Sequence, residues 1–195
     1  MSIRHLDKLF APASVAVFGA SERPGRVGTT VWRNLHGQFT GRLYPVNPKH
    51  RTLDGEKAYA SVKALPEAPD LAVICTPADT VVQLIAQLGE RGTRAAIVVT
   101  AGLDKATRQA MLDAARVHTL RILGPNCIGL LVPRLGLNAS FAHIGASAGD
   151  LAFVSQSGAL VTAMLDWAAA RGIGFSHFVS LGEHADVDFG DLLDY

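Results

Sequence analysis

Short apolar runs recur along the first two thirds of the chain, each followed by a turn of small residues. Several of the intervening segments carry apolar residues three or four positions apart, as amphipathic helices do. The apolar runs lie at residues 15–20, 43–47, 71–76, 95–100 and 122–124. Continuous apolar strands that alternate with such helices indicate a parallel sheet covered on both faces. The pattern therefore predicts a Rossmann-like, doubly wound α/β domain over residues 1–130.

The pattern changes after this first domain. Residues 131–149 are rich in Gly, Ala and Ser and predict an irregular connection. A strand–helix–strand unit follows, with strands at 151–155 and 175–181 around a helix that ends at Gly172. We interpret residues 150–195 as the start of a second, flavodoxin-like α/β domain. Because a single unit of this kind buries little apolar surface, we expect it to be less stable than the first domain.

Composition narrows the classes of function. The net charge is +1 and no stretch is dense in Lys and Arg, which argues against nucleic acid or an anionic membrane as a partner. The apolar runs are too short to cross a bilayer, and the first residues lack the uninterrupted apolar stretch of a signal peptide. Cys75 and Cys127 form no CxxC pattern. They predict reduced thiols in a cytoplasmic protein.

The turns after the apolar runs are the candidate sites, because open parallel sheets bind ligands at the carboxyl ends of their strands. The first turn begins Gly19-Ala20-Ser21. Its small residues let backbone N–H groups and a helix N-terminus approach a phosphate. The dinucleotide fingerprint G-x-G-x-x-G is absent, because Ser21 stands at the second glycine. A glycine-rich turn without a ligand is the alternative interpretation.

The second turn carries Lys49 within Asn47-Pro48-Lys49. Enzymes that use NAD usually have Asp or Glu there, which binds the ribose hydroxyls. A cation instead favours a ribose that bears a phosphate, as in NADP and coenzyme A. The alternative is an ordinary solvated lysine, which is what a lysine usually is.

Three further turns, after the third, fourth and fifth apolar runs, would complete a ligand-binding crevice at the same edge of the predicted sheet. Thr76-Pro77-Ala78 and Thr100-Ala101 offer hydroxyls and backbone groups that an adenine or a pantetheine arm could use, although ordinary strand-end turns have the same composition. Asn126 could hydrogen-bond a buried amide or carbonyl. Cys127 beside it has no neighbouring cation to lower its pKa, so we expect a small buried thiol and not a nucleophile.

The second unit contains a further candidate anion site. Ser155, Ser157 and Gly158 lie at a predicted helix N-terminus, where backbone amides attract anions. The alternative is that Ser157 merely caps that helix. Acidic residues cluster near the end of the sequence and are candidate metal ligands or bases, unless they form a solvated loop and helix start: Glu183, Asp186, Asp188, Asp191 and Asp194. The histidines show no metal-ligand spacing.

Taken in order, these turns resemble the N-terminal half of the ADP-forming acyl-CoA synthetases and of the α subunit of succinyl-CoA synthetase. The same stretch opens the related bacterial protein lysine acetyltransferases. The resemblance covers essentially the whole chain. Its landmarks are residues 6–10, 19–21, 44–49, 124–127, 155–159 and 185–188.

The resemblance implies that coenzyme A (CoA) or an acyl-CoA is the ligand. Its phosphates would lie at Ser21 and the surrounding turn, with Lys49 assisting. Residues 76–78 and 100–101 would bracket the nucleotide, and Asn126 would lie near the thiol end. Residues 155–158 match a helix N-terminus that receives a phosphate or phosphohistidine in this family. The sequence departs from the family pattern at Glu183, where Asn is common.

The family's phosphorylated histidine and its nucleotide-grasp module are absent from this sequence, as is an acetyltransferase domain. We therefore expect further domains of the same protein to be partners and expect this chain alone to be inactive, with no catalytic residue of its own. The leading hypothesis is the CoA-binding part of an ADP-forming acyl-CoA ligase. One alternative is a non-catalytic module that senses acyl-CoA for a protein lysine acetyltransferase. The other is an NADP-binding oxidoreductase fragment, which the missing second glycine disfavours.

Overall fold

Alternating strands and helices make up most of residues 3–195, the part of the chain that the computed structural model describes. The helices are α1 (Leu6–Phe10), α2 (Val27–His36), α3 (Ala78–Arg91), α4 (Lys105–Val117), α5 (Gly158–Ala169) and α6 (Phe189–Asp194). The strands are β1 (Ser14–Phe18), β2 (Arg42–Val46), β3 (Thr52–Leu53), β4 (Glu56–Lys57), β5 (Leu71–Ile74), β6 (Ala95–Val98), β7 (Arg121–Leu123), β8 (Gly129–Val132), β9 (Leu137–Ser140), β10 (Ala148–Ser155) and β11 (Phe175–Ser180).

Five parallel strands form the first sheet in the order β2-β1-β5-β6-β7. Among these five strands the order is 2-1-3-4-5, one of the common doubly wound topologies. Successive residues of a strand face opposite sides of a sheet. In β1, Val15 and Val17 pack with α1 and α2, whereas Ala16 and Phe18 pack with α3 and α4. The prediction of a doubly wound parallel sheet with helices on both faces is confirmed.

The helices that cover this sheet each bury one face. In α3, Val81, Ile85 and Leu88 are buried at the helical repeat, and the helix ends at Gly92, whose φ of 110° is left-handed. Asp104 caps α4 by accepting a hydrogen bond from the Thr107 amide at 2.7 Å, and this bond lowers the pKa of the Asp104 carboxyl. Within residues 3–195, no helix combines the length and the apolar character that crossing a bilayer requires.

The second sheet is mixed and has the order β10-β11-β8-β9. Strands β10 and β11 are parallel, whereas β8 runs antiparallel to both β11 and β9. Residues 131–149 are therefore not the irregular connection that the composition predicts, because they contain β9 and the ends of two other strands. The strand β9 was missed because Asn138 and Ser140 are polar yet buried, and their side chains hydrogen-bond each other at 2.6 Å.

The two sheets share one hydrophobic core. Leu137 in β9 and Val179 in β11 belong to the same buried cluster as Val31 and Leu35 of α2. In the same region, the Asn34 side-chain amide of α2 donates to the carbonyl of Ser140, the last residue of β9, at 2.8 Å and to the Ala142 carbonyl at 3.0 Å. Residues on both sides of the predicted domain boundary are thus packed together. The boundary itself stays a prediction.

Arg121, the first residue of β7, links the end of the chain to the first sheet. Its guanidinium pairs with Asp186 at 3.0 Å and with Asp191 at 2.7 Å. Burial opposes this charge, but the hydrogen bonds to the two carboxylates outweigh burial and raise the pKa of Arg121. Asp186 also accepts the Ile122 amide at 2.7 Å. The interaction therefore joins β7, the loop after β11 and α6.

Most of the acidic cluster consequently has a structural explanation. Asp186 and Asp191 pair with Arg121, and Asp188 caps α6 by accepting the Asp191 amide at 3.0 Å. Glu183 pairs with Arg108 at 2.8 Å. Among residues 3–195, no group of three His, Cys, Asp or Glu side chains is arranged to hold a metal ion. These contacts favour the loop and helix-start interpretation of the cluster, although Asp191 is buried against Arg121 and is not solvated.

We expect Arg121→Gln to lower the free energy of unfolding by about 3 kcal/mol, because the Asp191 carboxylate stays buried and loses this cation. Arg116→Gln is the matched control, since Arg116 forms only an exposed pair with Asp113 and should change stability by less than about 0.5 kcal/mol. Urea unfolding measures both values.

Hydrogen exchange should show the amides of β11 exchanging before those of β1. We expect the difference between the two exchange rates to be larger in Arg121→Gln. Equal protection of both strands in the unmodified protein would contradict the lower stability predicted for residues 150–195.

Candidate functional site

A cleft of about 770 Å³ opens at the carboxyl ends of β1, β2 and β5. The topology explains its position. The connection after β1 covers one face of the sheet through α2, and the connection after β5 covers the other face through α3, so the two turns diverge between these adjacent strands. Doubly wound sheets bind their ligands at this switch point. The geometry therefore makes this cleft the candidate site.

Two glycines allow α2 to begin against the turn that follows β1. A Cβ on Gly28 would lie 2.0 Å from the Gly19 carbonyl oxygen, so any larger residue would force the two backbones apart. Gly19 has a φ of +86°, a left-handed conformation that favours glycine. Val27 and Gly28 line the cleft, which places the positive end of the α2 dipole there. The turn therefore has the form of an anion site.

Hydrogen bonds within the first turn hold its shape. Ser21 is buried, and its hydroxyl accepts the Arg23 amide at 3.1 Å. The Thr29 hydroxyl of α2 donates to the Arg23 carbonyl at 2.7 Å. The turn is thus connected to the helix whose N-terminus it adjoins.

Asn47 bridges the first and second turns. Its side-chain amide donates to the Ala20 carbonyl at 2.8 Å, and its side-chain oxygen accepts the Lys49 amide at 3.0 Å. One side chain therefore sets the separation between the first turn and the backbone of Lys49. Asn47 was not among the predicted site residues, and its position directly after a buried strand was the available signal.

The charge of the cleft is one-sided. Four basic side chains line it: Arg23, Arg26, Lys49 and His50. No Asp or Glu of residues 3–195 is part of the lining. Lys49 is exposed at the rim. Such a surface favours a ligand with several negative charges.

The third turn reaches the cleft, and the fourth and fifth turns continue from it along the edge of the sheet. Thr76 and Pro77 line the cleft. The Thr100 hydroxyl donates to the Thr76 carbonyl at 2.7 Å, and the backbone amide of Asn126 donates to the Thr100 carbonyl at 3.0 Å. These contacts connect three of the predicted turns in series.

Several predicted site residues lie outside the lining of the cleft. Ala20 is fully buried, and Ala78 is the first residue of α3. Thr100, Ala101 and Asn126 lie further along the same edge of the sheet and are not part of the lining. Their roles in ligand binding stay predictions.

Glu183 lies between the fifth turn and the second sheet. Its carboxylate accepts a hydrogen bond from Arg108 at 2.8 Å and a weaker one from the Asn126 side chain at 3.5 Å. Its amide donates to the Pro125 carbonyl at 2.9 Å. The residue that departs from the family pattern is therefore in contact with a predicted site residue.

The predicted second anion site lies at the end of β10. The Ser157 hydroxyl accepts the Leu160 amide at 3.3 Å, so Ser157 caps α5 as the simpler interpretation holds. The Ser155 hydroxyl accepts the Ser157 amide at 3.1 Å. A Cβ on Gly158 would lie 3.2 Å from Ile128, which shows how tightly the helix begins. Phosphate binding at these three residues stays a prediction.

Both cysteines are unsuited to nucleophilic chemistry. Burial raises the pKa of the Cys75 thiol and of the Cys127 thiol to about 12. Both thiols are therefore protonated at neutral pH. The prediction that Cys127 is a small buried thiol is confirmed, whereas Cys75 borders the cleft.

One wall of the cleft was not predicted from the sequence. It is formed by the side of α3 that carries Thr80, Gln83, Leu84 and Gln87. These positions repeat at the helical period, and that spacing was the signal that could have shown them on one face. Arg23, Arg26 and His50 also line the cleft and were not among the predicted site residues.

The fold and the position of this cleft are those of a nucleotide-binding α/β domain. The family described as CoA binding domain matches residues 13–133, and the succinyl-CoA ligase like flavodoxin domain matches residues 148–195. The chain belongs to the CoA-binding domain family. The resemblance stated from the sequence is thereby confirmed.

Curated relatives and solved structures extend this similarity over nearly the whole chain. Acetate–CoA ligase [ADP-forming] I of Archaeoglobus fulgidus is 38% identical over 97% of this chain, which spans 28% of that protein. The α subunit of acetate–CoA ligase [ADP-forming] II of Pyrococcus furiosus is 39% identical over 97% of this chain, which spans 43% of that subunit. An acetyl-coenzyme A synthetase of Ca. Korarchaeum cryptofilum, solved with phosphate and ADP, is 39% identical, with a TM-score of 0.93 over 97% of this chain and 42% of that chain.

We expect Gly28→Ala to destabilise the protein by about 1–3 kcal/mol, because the new Cβ would overlap the Gly19 carbonyl. Gly37→Ala at the other end of α2 is the control. A Cβ there meets the Arg33 carbonyl at an ordinary 3.5 Å, so stability should change by less than about 0.5 kcal/mol. Urea unfolding of both variants measures the difference. Equal stability of the two variants would show that the approach of α2 to the first turn is not tight.

Proposed function

We propose that the cleft between β1, β5 and α3 binds CoA, and that the chain is the CoA-binding part of an ADP-forming acyl-CoA ligase. The observation that supports this most directly is a cleft at the switch point of a CoA-binding family domain, lined by four basic side chains and, within residues 3–195, by no acidic one. CoA carries a diphosphate and a ribose phosphate, so its charge suits that lining. The matched relatives named as ADP-forming ligases support the class of reaction.

The geometry suggests how the phosphates divide between the turns. The diphosphate would lie at the N-terminus of α2, beside Gly19, Ser21 and Gly28, which line the cleft. The ribose phosphate would lie at the end of β2 beside Lys49 and His50. Asn47 holds these two turns together, so both phosphate positions depend on its two hydrogen bonds.

The activity of the whole protein is part of this proposal, since the chain spans less than half the length of these relatives. Its partners would be further domains or subunits of such a ligase, and the chain alone would be inactive. The two free cysteines suit a cytoplasmic location. No observation favours the acetyltransferase-associated sensor or the NADP-binding fragment, and the comparisons support the ligase.

Calorimetry with CoA, NADH and NADPH tests the ligand. We expect CoA to bind more tightly than either nicotinamide cofactor, because the first turn lacks the second glycine of the dinucleotide fingerprint. Adenosine is the control without phosphate and should bind weakly if charge drives binding. Tighter binding of NADPH than of CoA would overturn the proposal.

Lys49→Ala tests the ribose phosphate position. We expect CoA affinity to fall by about threefold to tenfold, since a charge-assisted hydrogen bond is lost at an exposed site. Dephospho-CoA, which lacks that phosphate, should be affected less. Lys105→Ala, at the exposed N-terminus of α4, is the control and should leave both affinities unchanged. Equal losses for CoA and dephospho-CoA in Lys49→Ala would place this lysine elsewhere on the ligand.

A further inference from the structure

The α3 wall of the cleft presents a row of polar and apolar side chains. Thr80, Gln83, Leu84 and Gln87 follow the spacing i, i+3, i+4 and i+7, which puts them on one face of the helix. This face extends from the carboxyl edge of the sheet for about two turns, or roughly 10 Å. Leu84 on this face packs in one hydrophobic cluster with Val46 at the end of β2.

Two of these side chains have open hydrogen-bonding capacity. Gln83 is exposed and Gln87 is half-buried, and neither side chain has a hydrogen-bond partner within residues 3–195. Thr80, on the same face, is already engaged with Thr76 at 2.7 Å. A primary amide has both donors and an acceptor. The two glutamines therefore offer paired donors and acceptors to a ligand in the cleft.

Apolar side chains beside the glutamines suit a flat ring. Val46 at the end of β2, Val62 and Leu84 line the cleft and pack in one hydrophobic cluster. Val46 and Val62 are almost fully buried. The ring faces of a purine are apolar and its edge is polar, so this part of the cleft provides both of the surfaces that a purine requires.

We propose that Gln83 and Gln87 recognise the adenine base of CoA through its 6-amino group and the neighbouring ring nitrogens. This rests on the proposed CoA function and names which part of the ligand the α3 wall binds. A glutamine amide can accept from the amino group and donate to a ring nitrogen at once, the pairing by which glutamine reads adenine in DNA. The glutamines lie one helical turn apart, so they can approach the amino group from its two sides.

The α3 wall also differs in charge from the turns where the phosphates would lie. The four basic side chains belong to the first two turns, whereas the α3 wall carries no charge. The uncharged base of CoA suits the uncharged wall, and its phosphates suit the basic turns. The pantetheine amides are the other uncharged candidates for the glutamines, and the experiment below distinguishes them from adenine.

The test combines a ligand change with a protein change. The unmodified protein and the double variant Gln83→Ala/Gln87→Ala are titrated with CoA and with a CoA analogue whose adenine lacks the 6-amino group. We expect the unmodified protein to prefer CoA by about tenfold and the double variant to bind the two ligands nearly equally. Gln109→Ala on α4, whose amide bonds Asp113 on its own helix, is the control and should keep the preference.

The outcomes separate this inference from the proposed function. If the unmodified protein binds CoA and its analogue equally, adenine recognition by the glutamines is wrong while CoA binding stands. If it does not bind CoA at all, the proposed function is wrong. Titration with 4′-phosphopantetheine, which has no base, is the further measurement. Its affinity should be the same in both proteins, and a loss in the double variant would assign the glutamines to the pantetheine arm and overturn the inference.

Discussion

The contact between Gly28 and Gly19 is the constraint from which the rest of the site follows. A Cβ at Gly28 would lie 2.0 Å from the Gly19 carbonyl oxygen, so the start of α2 lies too close to the turn after β1 for any side chain at position 28. This approach seats Val31 and Leu35 on the sheet. It also positions Asn34, whose side-chain amide donates to the carbonyls of Ser140 and Ala142 at the end of β9. The position of the second sheet therefore depends on the same glycine contact that forms the anion-binding turn.

Acidic and basic side chains lie in different parts of this protein. Their positions indicate which of them are close enough to act on a ligand in the cleft. The carboxylates of Asp186 and Asp191 are engaged with Arg121 beyond the last strand of the first sheet. Among residues 3–195, the lining of the cleft contains basic side chains and no carboxylate. This distribution of charge favours a polyanion. The acidic cluster that the sequence presents as candidate chemistry is thereby part of the scaffold.

The sequence predicts those elements that are determined by neighbouring residues in the chain. Parallel strands buried on both faces are continuous apolar runs, and the turns that follow them point to Gly19, Ser21, Lys49 and Thr76. It does not predict β9, because Asn138 and Ser140 are polar and their burial depends on packing that only the whole fold supplies. The hairpin of β3 and β4 was also missed, although its Asp54-Gly55 pair, with φ values of 47° and 83°, is a typical hairpin turn. The α3 wall depends on which helix face borders the cleft, and packing alone decides that.

The cleft and the predicted anion site at Ser155 are connected by a series of hydrogen bonds along one edge of the structure. The core that the two sheets share therefore bears on the distance between these two predicted sites. Thr76, Thr100 and Asn126 follow one another along the first sheet, and Asn126 contacts Glu183. Two residues before Glu183, the Leu181 amide donates to the Ser155 carbonyl at 2.8 Å. CoA is a long molecule with its reactive thiol far from its phosphates. If its phosphates occupy the first two turns, its thiol end can extend along this edge toward the turn at Ser155. A rigid core between the sheets would then hold the thiol end at a fixed distance from that second turn, which two independently moving domains could not do.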